Sequence, residues 1–248
     1  MKRVYIYNDL GVGERSLEAA TRSFRSLNFE VAHIGASEVL HKDWHEDALL
    51  FVMPGGADLP YCQKLNGSGT AKIKSYVESG GKYLGFCAGA YFGSGYVEFE
   101  KGHELEVLGE RELKFFPGKT IGPAYGLGTY DYKWPKDGRA AQVSFVNDAS
   151  VYCIYYSGGC YFEQPEKFSN VKVVARFQDI NGNPAAAVLC SVGKGKVLLS
   201  GVHPEFSLEL IREKGIDKQE VVLELSTKDD SREIYLKRYL QEIDLPIQ

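Results

Sequence analysis

The sequence predicts an α/β domain whose strands are mostly parallel and whose helices cover both faces of the sheet. Three observations predict it. Short apolar runs alternate with segments of helical period through the first ninety or so residues. One run, Ala48 to Met53, is apolar without a break, as suits a strand covered on both faces. The strand ends carry glycine-rich turns, which is where open α/β sheets bind their ligands.

The elements follow in order. Val4-Tyr5-Ile6-Tyr7 is the first strand, ending at Asn8-Asp9-Leu10-Gly11-Val12-Gly13. From Glu14 to Leu27, Leu17, Ala20, Thr21, Phe24 and Leu27 recur at helical spacing with a polar opposite face. The Gly11-Val12-Gly13 turn lacks the third glycine of a dinucleotide fingerprint and reads as a plain strand-to-helix turn. Phe29 to Ile34 is a second strand, with His33 as a packing or surface residue. His41 and His45 stand four apart around Trp44, a metal-binding spacing on a helix, but Asp43, Glu46 and Asp47 complete no ligand set. That segment reads as polar surface.

The Ala48–Met53 strand ends in Pro54-Gly55-Gly56-Ala57-Asp58-Leu59-Pro60-Tyr61, where adjacent glycines can offer bare amides to a ligand. Thr70 to Ser79 reads as a helix with Ile73, Tyr76 and Val77 on one face, stopped by Gly80-Gly81. It leads into Tyr83-Leu84-Gly85-Phe86-Cys87-Ala88-Gly89, a buried strand delivering a cysteine into a tight strand-to-helix turn. The first amides of the next helix, and its dipole, favour the thiolate there. Against this stands the plain alternative of a buried cysteine acting as a small hydrophobe.

From Tyr96 to about Tyr156 the rhythm changes. Glu104 to Phe116 and Gln142 to Tyr156 read as β-ribbon segments, with Pro117-Gly118, Gly122-Pro123, Gly126, Gly128 and Pro135 as punctuation. This stretch is expected to wall the site as an elaboration of one domain spanning residues 1–248. Strands return at Val171–Phe177, Ala185–Val192 and Val197–Gly201, the last two joined by a Gly193-Lys194-Gly195-Lys196 hairpin turn. Helical pattern follows from Phe206 to Arg212. A terminal amphipathic helix, Ser231 to Ile243, is expected to dock on the sheet, capped by Asp229-Asp230-Ser231.

His203 and Glu205 stand two apart after the last strand, so both project from one side, with Pro204 stiffening the link. A cysteine nucleophile needs a base, and the base needs an anion or carbonyl to hold its tautomer. Cys87, His203 and Glu205 supply those roles, each where a parallel strand ends. The amides of Gly56 and Ala88 are the expected oxyanion hole.

Composition narrows the remaining choices. A net charge of -4 with no dominant basic stretch argues against nucleic acid as a partner. No apolar run reaches the roughly 20 residues of a membrane span, and Val4–Tyr7 is too short for a signal-peptide core. The cysteines, Cys62, Cys87, Cys153, Cys160 and Cys190, are odd in number and scattered, so neither disulfides nor zinc is expected, and the setting is read as reducing and cytoplasmic. No metal or cofactor is called for.

The Gly85-Phe86-Cys87-Ala88-Gly89 elbow, the Pro54-Gly55-Gly56 turn and His203-Pro204-Glu205 resemble class I glutamine amidotransferase domains. More narrowly, Pro54 to Tyr61, Phe115-Phe116-Pro117-Gly118, Ile121-Gly122-Pro123-Ala124 and Tyr155-Tyr156-Ser157-Gly158-Gly159-Cys160-Tyr161-Phe162 resemble the amino-terminal domain of eukaryotic-type biotin–protein ligases. The similarity runs from Val4 to at least Phe206. It implies the flavodoxin-like amidotransferase fold, with a β-ribbon elaboration, and a Cys87–His203–Glu205 triad. Amidotransferases usually place a glutamine two residues after the second elbow glycine, where it helps bind substrate glutamine; here Tyr91 stands there. Glutamine as substrate is therefore in doubt. A biotin-ligase catalytic domain, with its adenylate loop, is absent from these residues, as is a synthase domain.

Two readings follow. In the first, Cys87 attacks a small amide or acyl substrate, and Gly55, Asp58, Tyr61, Tyr91, Gly158 and Gly159 shape the pocket. In the second, a non-catalytic or regulatory module keeps the same geometry to recognise a small ligand or a protein partner. A reversible thiol sensor at Cys87 is a third.

Overall fold

Alternation along the central strands sorts the core into two layers. Side chains of a strand point to opposite faces in turn. Tyr7, Phe51, Met53, Tyr83, Val197 and Leu199 therefore belong to one buried layer. Val4, Ile6, Leu50, Val52, Leu84, Phe86 and Leu198 belong to the other. The computed structural model describes residues 2–131, 138–216, 218–227 and 229–247.

The first half alternates strands and helices: β1 (Arg3–Tyr7), α1 (Glu14–Ser26), β2 (Val31–Ile34), α2 (Ala36–His41), β3 (Ala48–Met53), α3 (Asp58–Leu65), α4 (Ser68–Glu78), β4 (Lys82–Phe86) and α5 (Ala88–Phe92). The next stretch supplies β5 (Ser94–Phe99), β6 (Val107–Glu110), β7 (Phe116–Gly122), β8 (Arg139–Phe145) and β9 (Tyr152–Tyr156). The rest comprises β10 (Tyr161–Phe162), β11 (Val171–Phe177), β12 (Ala185–Val192), β13 (Gly195–Ser200), α6 (Leu208–Lys214), α7 (Gln219–Ser226) and α8 (Asp229–Gln241).

The strands join one sheet in the order β2-β1-β3-β4-β13-β12-β10-β7-β5-β6, with β11, β8 and β9 branching from β12. Strands β2 to β13 of that order are parallel throughout. Register then positions the site. Met53 lies opposite Gly85, and Phe86 opposite Ser200, so β3, β4 and β13 end along one edge. The Pro54-Gly55-Gly56 turn, Cys87 and the His203 segment all leave the sheet there. The far side of the sheet is mainly antiparallel, and β5, β6 and their connection fold over the same edge.

Several elements depart from the sequence reading, for identifiable reasons. Strand β7 occupies the proline- and glycine-bearing residues expected to be punctuation. It pairs in parallel with β5 through a register shift between Ser94 and Tyr96, and this bulge accommodates Pro117, which has no N–H to donate. The Gln142–Tyr156 ribbon is present as the antiparallel pair β8 and β9, but it begins earlier, at Arg139. Helix α3 occupies what reads as a turn, because Pro60 falls in its first turn, where a missing N–H costs nothing. Helix α8 already begins at Asp229, so Ser231 lies inside it; its hydroxyl accepts the Cys153 amide at 3.3 Å rather than capping. Tyr235, Leu236, Tyr239 and Leu240 bury that helix against the second layer. His41 ends α2 while His45 sits in a separate 3-10 turn, so the two do not share a helix face. His33 Nε2 lies 2.9 Å from Thr21 Oγ1. Pro135 lies outside the described residues.

Candidate functional site

Cys87 sits at the end of β4 with φ 49° and ψ -105°, a region L-residues with a side chain rarely enter. Such a conformation costs about 1–3 kcal/mol and persists only where its surroundings over-determine it. They do so here: the Cys87 amide donates to Ser200 O at 2.9 Å, and its carbonyl accepts from Ala90 and Tyr91 at 2.9 and 3.0 Å. A Cβ on Gly89 would fall 2.1 Å from Met53 O, so only glycine lets α5 approach β3 this closely. The elbow lifts the thiol to the sheet edge, where Cys87 keeps 7% of its surface.

His203 and Glu205 are 4% and 1% exposed, and Nδ1 of the imidazole lies 2.7 Å from Glu205 Oε1. The other ring nitrogen, Nε2, lies 3.4 Å from Ser157 O. Cys87 Sγ donates to that same carbonyl at 3.6 Å and is also in hydrogen-bonding reach of the imidazole. Gly55 packs between them: a Cβ there would stand 2.9 Å from His203 Cε1 and 3.5 Å from Cys87 Cβ. Burial alone would push the imidazole down, but the Glu205 carboxylate and the hydrogen bonds with Cys87 and Glu205 outweigh it and hold His203 well above the ordinary histidine range.

That shift has a pH consequence. The folded chain keeps the His203 proton where the unfolded chain releases it. The resulting stabilisation is complete below the unfolded pKa of about 6.5 and is lost as pH rises through the raised folded value. Denaturant unfolding is expected to show stability falling as pH rises from about 6.5. The His203→Asn variant should lack this component.

The segment carrying the pair is tied down from several sides. Ser23 Oγ donates to Glu205 O at 2.7 Å, Arg232 Nη1 donates to Pro204 O at 3.0 Å, and the His203 amide donates to Tyr155 O at 2.8 Å. Ser16, on α1, links two parts of the site. Its Oγ accepts the Gly55 N–H at 2.8 Å and donates to Glu205 Oε1 at 3.4 Å. Ser16→Ala orphans the buried Gly55 amide and removes a donor from Glu205. The expected result is a stability loss of about 1–3 kcal/mol in denaturant melts.

The Gly11–Gly13 turn clasps the Pro54-Gly55-Gly56 turn: Ala57 N donates to Gly11 O at 2.8 Å and Gly13 N to Gly55 O at 3.0 Å. With Gly55 bound to Ser16 and Gly89 bound to Pro54 O, the N–H groups of Gly56 and Ala88 have no acceptor among the described residues. Both residues line a cavity of about 490 Å³ that opens over Cys87.

Of the residues expected to shape the pocket, Asp58, Tyr91 and Gly158 line the same cavity. Tyr91 donates its hydroxyl to Gly158 O at 3.2 Å, tying α5 to the opposite wall. Three of the expected pocket residues lie elsewhere. Gly55 is packed behind Cys87 and His203. Tyr61 is fully buried under the turn, its hydroxyl against Pro54 O and Gly55 O at 3.2 and 3.3 Å, because α3 turns it into the core. Gly159 lies against backbone, where a Cβ would fall 1.8 Å from Gly201 O. Arg111, absent from the sequence reading, donates Nε to Asp58 Oδ2 at 2.7 Å in a buried ion pair. Among the described residues no group of three or more His, Cys, Asp or Glu side chains is arranged to hold a metal ion.

Residues 2–248 match the family model described as biotin–protein ligase, N terminal. An uncharacterized protein of Chlamydia muridarum (strain MoPn / Nigg) is 35% identical over 252 residues, covering 98% of this chain and 97% of its own. The biotin–protein ligase of Schizosaccharomyces pombe is 40% identical over 215 residues, covering 83% of this chain but 34% of the ligase, so this chain corresponds to about a third of that protein. Among solved structures, PurLQS from Thermotoga maritima superposes with a TM-score of 0.59 at 15% identity, covering 98% of this chain and 99% of the other. A glutamine amidotransferase from the same organism gives 0.60 at 14%, covering 98% and 97%. Identities this low speak to fold alone, and the fold is the flavodoxin-like one of class I glutamine amidotransferases. The chain belongs to the family of biotin–protein ligase amino-terminal domains.

Proposed function

We propose that this protein is a cysteine-dependent hydrolase or transferase of a small amide or acyl compound. The proton given up by Cys87 rests on His203 Nε2, whose imidazolium is held by Glu205, and the thiolate attacks the substrate carbonyl carbon. Oxyanion charge develops between the Gly56 and Ala88 amides, whose N–H groups are otherwise unspent. As the tetrahedral species collapses, the imidazolium returns its proton to the departing amine and a thioester remains on Cys87. Water, deprotonated by His203, then releases the acid. Glu205 holds Nδ1–H throughout and so keeps the reacting nitrogen facing the thiol. The observation that carries this reading is the convergence of the Cys87 thiol and His203 Nε2 on one carbonyl, with Nδ1 held by a buried carboxylate at 2.7 Å.

Glutamine is disfavoured as substrate by Tyr91, whose hydroxyl is spent on the opposite wall. A cytoplasmic, reducing setting belongs to the same proposal, since the thiol has to stay reduced; no described helix is long and apolar enough to cross a membrane. The test is intact-mass analysis of the protein mixed with activated amides and aryl esters. An acyl adduct on Cys87 that forms and decays with turnover supports the reading, and its absence in every case rejects it.

A second reading, a regulatory module that binds a small ligand or a partner protein, is favoured by similarity to a segment of a larger biotin–protein ligase. Ligand binding that survives Cys87→Ala unchanged, with no adduct in the parent, would select it.

A further inference from the structure

We propose that the cavity over Cys87 takes an amide or acyl group carried on an apolar body that is neutral or positively charged, and turns away carboxylate-bearing amides such as free amino acids. The inference rests on the catalytic reading above and names its substrate class.

Size comes first. A cavity of about 490 Å³ falls within the range of pockets that hold drug-sized ligands, roughly 300–1,000 Å³. Much of its wall is apolar or aromatic: Leu59, Val97, Phe99, Leu105, Val107 and Tyr130. A ligand has to cover those surfaces to gain from them.

Charge decides the rest. Three acidic residues, Asp58, Glu104 and Glu106, line the cavity, and among its described lining residues there is no lysine, arginine or histidine. Asp58 is balanced by Arg111, which is 3% exposed and is not a lining residue. The uncompensated charge therefore belongs to Glu104 and Glu106, both exposed on the connection between β5 and β6. Glu106 is partly held by the Gly102 amide, 2.6 Å from Oε2. The Cys87 end differs in sign, because the N–H groups of Gly56 and Ala88, with no acceptor among the described residues, present the positive ends of their dipoles there. The cavity thus suits a substrate whose carbonyl oxygen meets those amides and whose body, or a cation on it, meets the glutamates. The carboxylate of an amino acid finds no cationic partner among these residues.

The test uses the intact chain and three thiol reagents of different charge: iodoacetamide, iodoacetate and a haloacetamide bearing a quaternary ammonium. Second-order rates at Cys87, read by peptide mass spectrometry, are divided by the rates on the urea-unfolded chain to remove intrinsic reactivity. The expected order is cationic, then neutral, then anionic, with about tenfold or more between the extremes for two partly solvated charges nearby. In Glu104→Gln/Glu106→Gln that gap should close to within about threefold. An N-phenyl haloacetamide should outpace iodoacetamide by about tenfold, as burial of a ring would give. Iodoacetate as fast as the cation, a gap indifferent to the two glutamates, or no reaction at Cys87 with any reagent overturns the proposal. These ratios do not depend on turnover. A correct charge order without an acyl adduct would reject hydrolysis and keep the pocket's selectivity, whereas an adduct with the wrong order would do the reverse.

Discussion

His203→Asn should lower turnover of any acyl substrate by about 10²–10⁴-fold, the usual contribution of a positioned general base. Asparagine is the informative replacement. Its side-chain amide can still donate to Glu205 Oε1, which Nδ1 approaches at 2.7 Å, but it offers no base towards Cys87. His203→Ala would strip the nearer donor from a carboxylate that is 1% exposed and whose Oε2 already has no partner among the described residues. Loss of fold and loss of catalysis would then be confounded. With asparagine, the circular dichroism spectrum should match the parent while the rate collapses. A rate within about threefold of the parent would remove His203 from the chemistry.

Arg111→Leu should cost about 3–5 kcal/mol of stability, because it leaves the buried Asp58 carboxylate without its cation. Arg111 gives Nε to Asp58 at 2.7 Å and Nη1 to Gly109 O and Glu110 O at 3.1 and 3.0 Å. It therefore joins the segment after β6 to the start of α3. The start of α3 favours a carboxylate and offsets a small part of the loss. Asp58→Leu/Arg111→Leu removes both charges and should recover much of the deficit, since an apolar pair leaves no charge stranded. Urea unfolding of the two variants measures this directly. A single variant as stable as the double would contradict the account.

The strands around the site were legible because each is an apolar run bounded by turn residues, and a parallel sheet aligns their ends. Cys87 and the His203–Glu205 pair could be connected from sequence for that reason alone. Ser16 and Arg111 could not. Their partners lie far along the chain: Ser16 meets residues 39 and 189 positions away, and Arg111 meets one 53 away. Ser16 is one of several small residues on the buried face of α1, and nothing local separates it from Ser23. Arg111 falls in a stretch that reads as a ribbon, where a charged residue suggests a solvated face. Tyr61 failed differently. Its neighbours Pro54 to Pro60 read as an exposed ligand turn, but α3 starts at Asp58 and turns the ring inward, where it supports the turn from beneath. The Pro117-Gly118 pair was misread because a bulge in β7 makes room for a proline that a regular ladder would reject.

The rate of Cys87 alkylation by iodoacetamide against pH, in the parent and in His203→Asn, tests directly whether His203 activates the thiol. Cys62 serves as an internal reference, because burial pushes its thiol up to about 11 and leaves it slow at neutral pH. Near pH 6 an ordinary thiol of pKa about 8.5 is almost wholly protonated and barely reacts. Rapid alkylation of Cys87 at that pH, lost in His203→Asn, is the expected result. Cys87 reacting as an ordinary thiol in both proteins would contradict it.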